Sequence, residues 1–537
     1  MNVGQLDSHI DFTTAFAQGT QGEVDELVKA LGTGQGGEAY GGGAYGDMSA
    51  LRPQSLEETL KKVTADSSHV RLWKTISKKP AFNTSEEYNI LDRLGGDASP
   101  FFVEGGLPNE QDSSYVRKSA LVKFLGTTRV VTHPATLVRT VGVGDIVAQE
   151  AQNGTEWLIM QIERQLFYAD SELNPLAFDG ILAQMKNFLG KPYYKGVAVG
   201  GNPNGQSAEQ FVDLRGGFLP PAALEDGANI IFENFGIARQ LQCTPAVRKD
   251  FSNMFMNTPS TVKAERVMVG QEIDSLGHGE VERYKSNAGT FTLEPNLFLR
   301  PRGGRKLVSD NGAPAQPTTT GITTQATPAS DAVSKFSTTD GGKYGNATWD
   351  STGTYYYFVA AKNAVGESVA VAVGNDGGAG VGFAVGNGQS ATIEWNRVVG
   401  SPAAQSYTIY RGKKADGSDA LFMDEVKDAG TGTTQTYVDR NFRIPGTHDA
   451  FLIDTDPNKS MTFKQLAPLM KLPLARISAA ERFMVLLYGM PIVYNPRTQV
   501  YYFNIGVTGG TVERDLFDAN FRPSYGTIAP VVGSNLN

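Results

Sequence analysis

A block rich in Thr, Gly, Val and Tyr, from Pro314 to Arg443, interrupts a chain of different character. Within it lie YYYFVAAKNAVGES (Tyr355 to Ser368) and ATIEWNRVVGSPAAQSYTIYRG (Ala391 to Gly412). Tyr355, Tyr357, Val359 and Ala361 recur at every second position, the period of a half-buried strand. Trp395 closes the strand-like run TIEW, and YTIYRG alternates again. Apolar sequence stands before the block and resumes after it at MTFKQLAPLMKLPLARISAAERFMVLLYGMPIVYNP. Such a chain leaves one core, builds another and returns. One β-sandwich of about 130 residues fits the block, and two abbreviated ones fit as well. The Pro/Thr/Gly run from Lys306 to Pro328 is expected to be a linker into it.

A chain of 537 residues exceeds one ordinary core, so roughly two to four domains are expected. The formal net charge is -8, and no basic tail or arginine-rich run is present. That argues against a dedicated nucleic-acid binder, but not against a protein that surrounds nucleic acid. Positive charge gathers modestly at Arg302, Arg305 and Lys306, and at Lys61, Lys62, Lys74, Lys78 and Lys79. The second group reads as a wet surface, with anionic contents as the alternative reading. The first residues lack a basic stretch followed by an apolar one, so no signal peptide is expected. No window holds 18 consecutive apolar residues, so no ordinary membrane-spanning helix is expected.

Catalytic chemistry finds little support. Cys243 is the one cysteine, which rules out an intrachain disulfide and a thiolate cluster. It is expected to be a small half-buried hydrophobe. The five histidines, His9, His69, His133, His278 and His448, show no metal-ligand spacing. No GxGxxG follows a strand, and neither GxxxxGK[ST] nor GxSxG occurs. DTDPNKS (Asp454 to Ser460), Asp170 and Asp179 are candidate cation positions. The first lacks the glycine and glutamate of a calcium loop and reads as a solvated turn. Glu156 and Glu163 share a helix face, where a solvated stripe is expected rather than an acid/base pair. The chain is expected not to be an enzyme and to need neither cofactor nor metal.

Elsewhere, Glu23 to Leu31 and Ser55 to Val63 read as short helices around a glycine-rich tether, Gly32 to Ala50. From Phe82 to Arg139 the chain is extended and polar in its middle, as a long projecting β-hairpin would be. Gly144 to Asp170 is the longest helical candidate, with Ile159, Ile162 and Leu166 on one stripe and Asn153-Gly154 as a candidate break. Leu173 to Gly190 holds a second helix. Leu224 to Gly236 reads as a loop or cap into a helix, Thr244 to Met256 as helix, and Thr290 to Pro301 as strand. After the block, helix is expected at Phe463 to Lys471 and at Arg476 to Leu487. A hairpin on a mixed sheet follows, with Val500, Tyr502 and Asn504 alternating against Tyr501, Phe503 and Ile505. An exposed arm and hairpin are buried only by other copies of the chain, so symmetric self-association is expected.

This order of parts resembles the HK97-type major capsid protein of tailed bacteriophages. GTEWLIMQIERQLFYAD, LEPNLFLRP and ERFMVLLYGMPIVYNPRTQVYYFNIG are similar to segments of large-myophage capsid subunits. The block resembles the immunoglobulin-like or fibronectin type III modules that decorate several phage capsids, through the pattern Y-x-Y-x-V-x-A-x-N-x-x-G-x-S in YYYFVAAKNAVGES. The resemblance implies an α+β HK97-like capsid fold plus an all-β immunoglobulin-like sandwich. Residues 1–50 would be a flexible segment of the kind some members remove, 51–95 the N-arm and 96–138 the E-loop. The peripheral domain with its spine helix would be 139–194, and 195–313 would hold the axial domain and more of the peripheral one. The outward-facing insertion would be 314–443, and 444–537 would return to both domains and end in a tail. The implied function is self-assembly, through arm and E-loop, into an icosahedral shell around double-stranded DNA. Implied partners are further copies in hexameric and pentameric capsomers, minor or decoration proteins, a scaffold and a portal, with no membrane. The implied location is the virion capsid, assembled in the bacterial cytoplasm. Some members crosslink an E-loop lysine to a neighbour's asparagine, and Lys118 and Lys123 lie in the matching region. The rival readings are a tail or sheath subunit, and a glycan-binding surface protein using Tyr355, Tyr356 and Tyr357.

Overall fold

A 3-10 turn (Ser67–His69) and α1 (Leu72–Thr75) lead into β1 (Lys78–Pro80) and then into a long ribbon. The computed structural model describes residues 67–97, 99–138, 144–190, 209–256, 267–269, 281–299, 303–326, 354–374, 380–384, 389–476 and 478–508. Nearly all of these belong to one unit, Val63–Leu137 with Ile146–Asn537. The helices expected at 23–31 and 55–63, the glycine tether, Lys61, Lys62, Arg302 and the tail after Gly509 lie outside the described residues.

The ribbon is β2 (Ser85–Arg93) paired antiparallel with β3 (Ser114–Leu121), from Ser85 opposite Leu121 to Arg93 opposite Ser114. It therefore begins inside the segment read as the arm. One residue beyond β3, β4 (Lys123–Thr132) enters a different sheet, and α2 (His133–Leu137) follows. Next come α3 (Ile146–Tyr168), α4 (Ile181–Leu189), β5 (Phe211–Asp213), α5 (Pro221–Glu233), β6 (Gln240–Cys243) and α6 (Pro245–Met256). Then follow β7 (Val267–Val269), β8 (Val281–Ser286) and β9 (Gly289–Pro295). The inserted block carries β10 (Thr319–Ala326), β11 (Thr354–Lys362), β12 (Val371–Ala372), β13 (Phe383–Ala384) and β14 (Gln389–Asn396). It ends with β15 (Ser406–Gly412), β16 (Leu421–Lys427) and β17 (Thr434–Asp439). The chain returns through β18 (His448–Ile453), β19 (Met461–Pro473), β20 (Ala480–Val493) and β21 (Gln499–Ile505).

The segments expected to be helices at 463–471 and 476–487 are strands. They form most of the sheet β1-β19-β20-β4. Along β20, Phe483, Val485 and Leu487 are buried while Met484, Leu486 and Tyr488 are half-exposed. That is a period of two with apolar residues on both faces. Counted without regard to face, such a run mimics a helical stripe. The helix α3 lies across the inner face, its Leu158, Ile162 and Leu166 in one core with Phe463, Phe483, Val485 and Leu487. It is unbroken at Asn153-Gly154. A Cβ on Gly154 would stand 3.3 Å from Val485 Cγ2 and 3.4 Å from Arg129 Cγ, so the glycine lets helix and sheet approach.

The second sheet runs β5-β21-β18-β6-β9-β8-β7. Its central strands β18 and β21 are buried along their whole length. Ala450, Leu452, Val500 and Tyr502 share a core with residues of α5 and α6, including Leu224, Ile231 and Phe251. Phe451, Ile453, Tyr501 and Phe503 join the core that holds the end of α3. One sheet thus binds two cores. The segment 224–236, read as a loop or cap, is mostly α5, which starts earlier at Pro221 with proline in its first turn.

The insertion is one sandwich. Sheet β10-β14-β17 faces sheet β12-β11-β15-β16, to which β13 adds. Tyr355, Tyr357, Val359, Ile393, Trp395, Tyr407 and Ile409 fill the space between them. The described part of the run read as a linker, 306–326, is not free: it contains β10, Asp310 N–H donates to Glu367 O and Asn396 N–H to Thr318 O, and the residues just before it are held as well. Phe422 N–H donates to Gly303 O, Arg305 N–H to Ala420 O, and Ala370 N–H to Lys306 O. The Arg305 guanidinium sits 4.7 Å from the Phe358 ring centre. The incoming chain covers a second small apolar layer, Phe358, Ala360, Tyr410 and Ala420, on the outside of the larger sheet. Its Pro, Thr and Gly content hid this, because the segment is held by backbone hydrogen bonds that depend little on side chains.

Candidate functional site

The positions offered for chemistry are structurally engaged. Cys243 is buried in the second core, and burial pushes its thiol up to about 12. The turn 454–460 already holds a cation, the guanidinium of Arg239. Its Nε donates to Asp454 Oδ1 at 3.1 Å and its Nη2 to Asp456 Oδ2 at 3.1 Å. Asp179 accepts from Ser171 N–H and Asp170 from Glu172 N–H, both within the turn after α3. Among the described residues, no three His, Cys, Asp or Glu side chains gather as a metal site. Glu156 and Glu163 do not act as a pair. Gln152 donates to Glu156, whereas Glu163 is wholly buried.

Glu163 is a clamp. Its Oε1 accepts from Leu72 N–H at 2.8 Å, Arg71 N–H at 3.2 Å and Asn296 Nδ2 at 2.7 Å, and its Oε2 from Trp73 N–H at 2.7 Å. One carboxylate on α3 thereby fastens the start of α1 and the turn after β9. Burial pushes this carboxyl above its ordinary range, against the pull of those four donors. The lysines near α1 are engaged too. Lys78 Nζ donates to Trp73 O at 2.7 Å, and Lys79 Nζ to Pro457 O at 3.0 Å. Lys74 and Lys78 are nevertheless exposed.

The ribbon differs from the rest of the body. Between its strands lies a tip, residues 94–113, whose Phe101, Val103 and Leu107 are 87%, 81% and 93% exposed. The tip also carries Asp97, Glu104, Glu110 and Asp112 and no Lys or Arg. Single exposed apolar residues are ordinary, but a cluster at the end of a projection marks an interaction surface. The lysines proposed for crosslinking flank a cleft of about 490 Å³ at the ribbon's base, together with Phe178, Phe188, Met490 and Ile492. Lys118 Nζ lies 4.5 Å from the Phe188 ring centre, and Lys123 Nζ donates to Pro175 O at 2.6 Å.

A second engineered-looking place, unread in the sequence, is where the insertion rejoins the body. Arg411 Nη1 bonds Asp439 Oδ2 at 2.6 Å, and Tyr357 Oη donates to the same oxygen at 2.8 Å. Arg411 Nη2 donates to Asn441 Oδ1 at 2.8 Å, and Arg215 of the body donates from Nη1 to Asn441 O at 3.0 Å. Asn504 Nδ2 donates to Phe442 O and to Asp213 Oδ1, while its Oδ1 accepts from Ile444 N–H. Arg215, Asn441 and Asn504 all have positive φ, at 50°, 57° and 57°. Backbone of this kind persists where surroundings over-determine it. Tyr355 and Tyr357 are core residues of the sandwich and Tyr356 packs on its outer layer, so the three do not form an exposed sugar-stacking patch.

No protein-family model matches the chain. Over 492 residues it is 24% identical to the major capsid protein of Staphylococcus phage K, covering 88% of this chain and 93% of that protein. It is 23% identical over 490 residues to the putative major capsid protein of Enterococcus phage phiEF24C, again covering 88% and 93%. Among solved structures it overlaps the capsid of a native GTA particle at TM-score 0.40 and 9% identity, covering 86% of this chain and 96% of that one. It overlaps the holo-SrpI encapsulin complex of Synechococcus elongatus PCC 7942 at TM-score 0.35 and 10% identity, covering 87% and 99%. By sequence, the chain is similar over 88% of its length to major capsid proteins of bacteriophages.

Proposed function

We propose that this chain is a major capsid protein of HK97-like fold, which self-assembles into an icosahedral shell around double-stranded DNA. The observation that carries the reading is the similarity to the phage K capsid subunit across 492 residues. The ribbon supplies the mechanism. Its apolar, acidic tip is bare in a single copy and laps a neighbouring subunit, as an E-loop does. The cleft flanked by Lys118 and Lys123 belongs to the same contact zone, and either lysine is a candidate for covalent linkage to a neighbour. The helix α3 braces the peripheral part, and the sheet carrying β18 and β21 belongs to the axial part. The sandwich from 303 to 443 is an immunoglobulin-like or fibronectin-like ornament facing outward. Hexameric and pentameric capsomers, a scaffold and a portal complete the particle in the bacterial cytoplasm. Stability comes from many repeated contacts, on the order of thousands of Å² per subunit.

Electron microscopy of the purified full chain in negative stain tests this reading. Closed shells or capsomers are expected. Filaments would turn the reading to a tail or sheath subunit, and monomers alone under assembly conditions would overturn it.

A further inference from the structure

Helix α5 ends at Glu233 in a turn whose hydrogen bonds are regular and whose sequence is not. Phe235 N–H donates to Phe232 O at 3.0 Å, and Gly236 N–H donates to Ile231 O at 2.9 Å. This pair of bonds is the Schellman termination, in which the residue after the C-cap adopts a left-handed backbone. Asn234 is the C-cap, and Phe235 occupies the left-handed slot with φ 67°. Glycine fills that slot most often because a Cβ there meets the backbone. The glycine of this chain stands one position later. Gly236 is needed there, since a Cβ on it would stand 2.8 Å from Thr498 Cγ2 and 2.9 Å from Ile231 Cγ2.

Phe235 gains little from its own subunit in return. Its side chain is 86% exposed, and Phe232 one turn earlier and Ile237 two residues later are also bare. The surrounding backbone is fixed from several sides. Asn495 Nδ2 donates to Asn234 O, and Ile237 N–H donates to Asp454 Oδ2. The turn therefore fixes the backbone from which an exposed aromatic ring projects, at a cost to the isolated chain. Aromatic side chains buried on association carry much of the energy of protein contacts.

We propose that Phe235, with Phe232 and Ile237, is an anchor that inserts into a second copy of this chain, at a contact distinct from the ribbon. The choice of partner rests on the shell reading and on size. Two bared aromatics and one isoleucine offer on the order of 400 Å², about half of the ~800 Å² per side that a stable stand-alone interface needs. A patch of this size suits one contact among several in a closed assembly.

The test compares the wild-type full chain with Phe235→Gly and Phe235→Trp, reading particle yield by sedimentation and electron microscopy. The Tm of the unassembled fraction is read in parallel. Phe235→Gly is expected to raise that Tm by about 2 °C through relief of the left-handed strain, and to lower particle yield at least about tenfold. Phe235→Trp is expected to keep the yield. Wild-type particles together with undiminished Phe235→Gly particles would overturn the anchor and leave the shell reading standing. A lower Tm for Phe235→Gly would also overturn it, since Phe235 would then serve its own subunit. Absence of particles from the wild-type chain would remove the shell reading and the anchor together.

Discussion

Arg411 and Asp439 form an ion pair at 2.6 Å with side chains 1% and 2% exposed. Burial works against the Arg411 charge, but Asp439, Tyr357 and Tyr355 outweigh it and hold the guanidinium above its ordinary range. Removing one member of a buried pair strands the other, at a cost of about 3–5 kcal/mol. Arg411→Met should therefore destabilise the sandwich by roughly that amount, read as a shift in its chemical-denaturation midpoint. A shift within error of zero would mean that Tyr357 and Asn441 satisfy Asp439 without the arginine.

Excision of the whole insertion tests how far it is an ornament. Residues 303–443 can be replaced by a short linker. The body then loses the Asn441 carbonyl that accepts from Arg215 and the Phe442 carbonyl that accepts from Asn504. Each hydrogen bond lost costs about 0.5–1.5 kcal/mol. The excised chain should melt lower than the body of the intact chain, and Arg215→Met in the excised background should restore part of the loss. An unchanged melting temperature after excision would show that the junction contributes nothing to the body.

Glu163→Gln should change the pH dependence of stability with a definite sign. The folded carboxyl titrates above 4.5, because burial outweighs the bonds from Trp73, Leu72, Asn296 and Arg71. A raised folded value means that the native state holds this proton more tightly than the unfolded chain. Its stabilising contribution is present below about 4.5 and is lost as pH rises through the folded value. The urea midpoint of the wild type, relative to that of Glu163→Gln, should thus fall as pH rises above about 4.5. A constant difference across that range would remove Glu163 as the source.

Gly227 and Tyr502 provide a steric test. A Cβ on Gly227 would stand 1.9 Å from Tyr502 Oη, which donates to Ala223 O at 3.0 Å. Gly227→Ala should destabilise by about 1–3 kcal/mol despite alanine's better helix propensity. Gly227→Ala combined with Tyr502→Phe should cost less than the sum of the single changes, as a double-mutant cycle will measure.

The ribbon tip should behave in the opposite way. Phe101→Ser with Leu107→Ser removes exposed apolar area, so the Tm of the unassembled chain should stay within about 1–2 °C of wild type. Particle yield should collapse. A marked fall in Tm would mean that the tip packs within its own subunit.

Legibility in the sequence followed the locality of the signal. The stripe Ile159, Ile162 and Leu166 announced α3, and the alternation of Tyr355, Tyr357 and Val359 announced a sandwich strand, because each rests on spacing within one element. The strands β19 and β20 were misread as helices for the same reason. Their apolar residues face two ways, onto α3 and onto the outer side of the sheet, and a one-dimensional pattern does not say which neighbour lies where. The ribbon that begins at Ser85 lies within the hairpin read from Phe82, whereas the E-loop bounds implied by the resemblance, 96–138, leave out its first strand, whose pairing partner Leu121 stands 36 residues from Ser85.

The sequence by itself determined the order of the parts: a projecting hairpin, a long helix, an α/β body, an inserted sandwich and a late return. It also showed neither a phosphate-binding GxxxxGK[ST] nor a GxSxG nucleophile motif. Tertiary structure alone decided what the polar residues do. Glu163 became a clamp, Arg239 filled the Asp454 turn, and Arg411 met Asp439 only because folding brought distant segments together. It also decided that Phe235 points outward from a left-handed turn. Hydrophobic periodicity is a local property that sequence records directly. Buried polar pairing and backbone strain depend on which distant segments close around a residue, and only the folded chain records that.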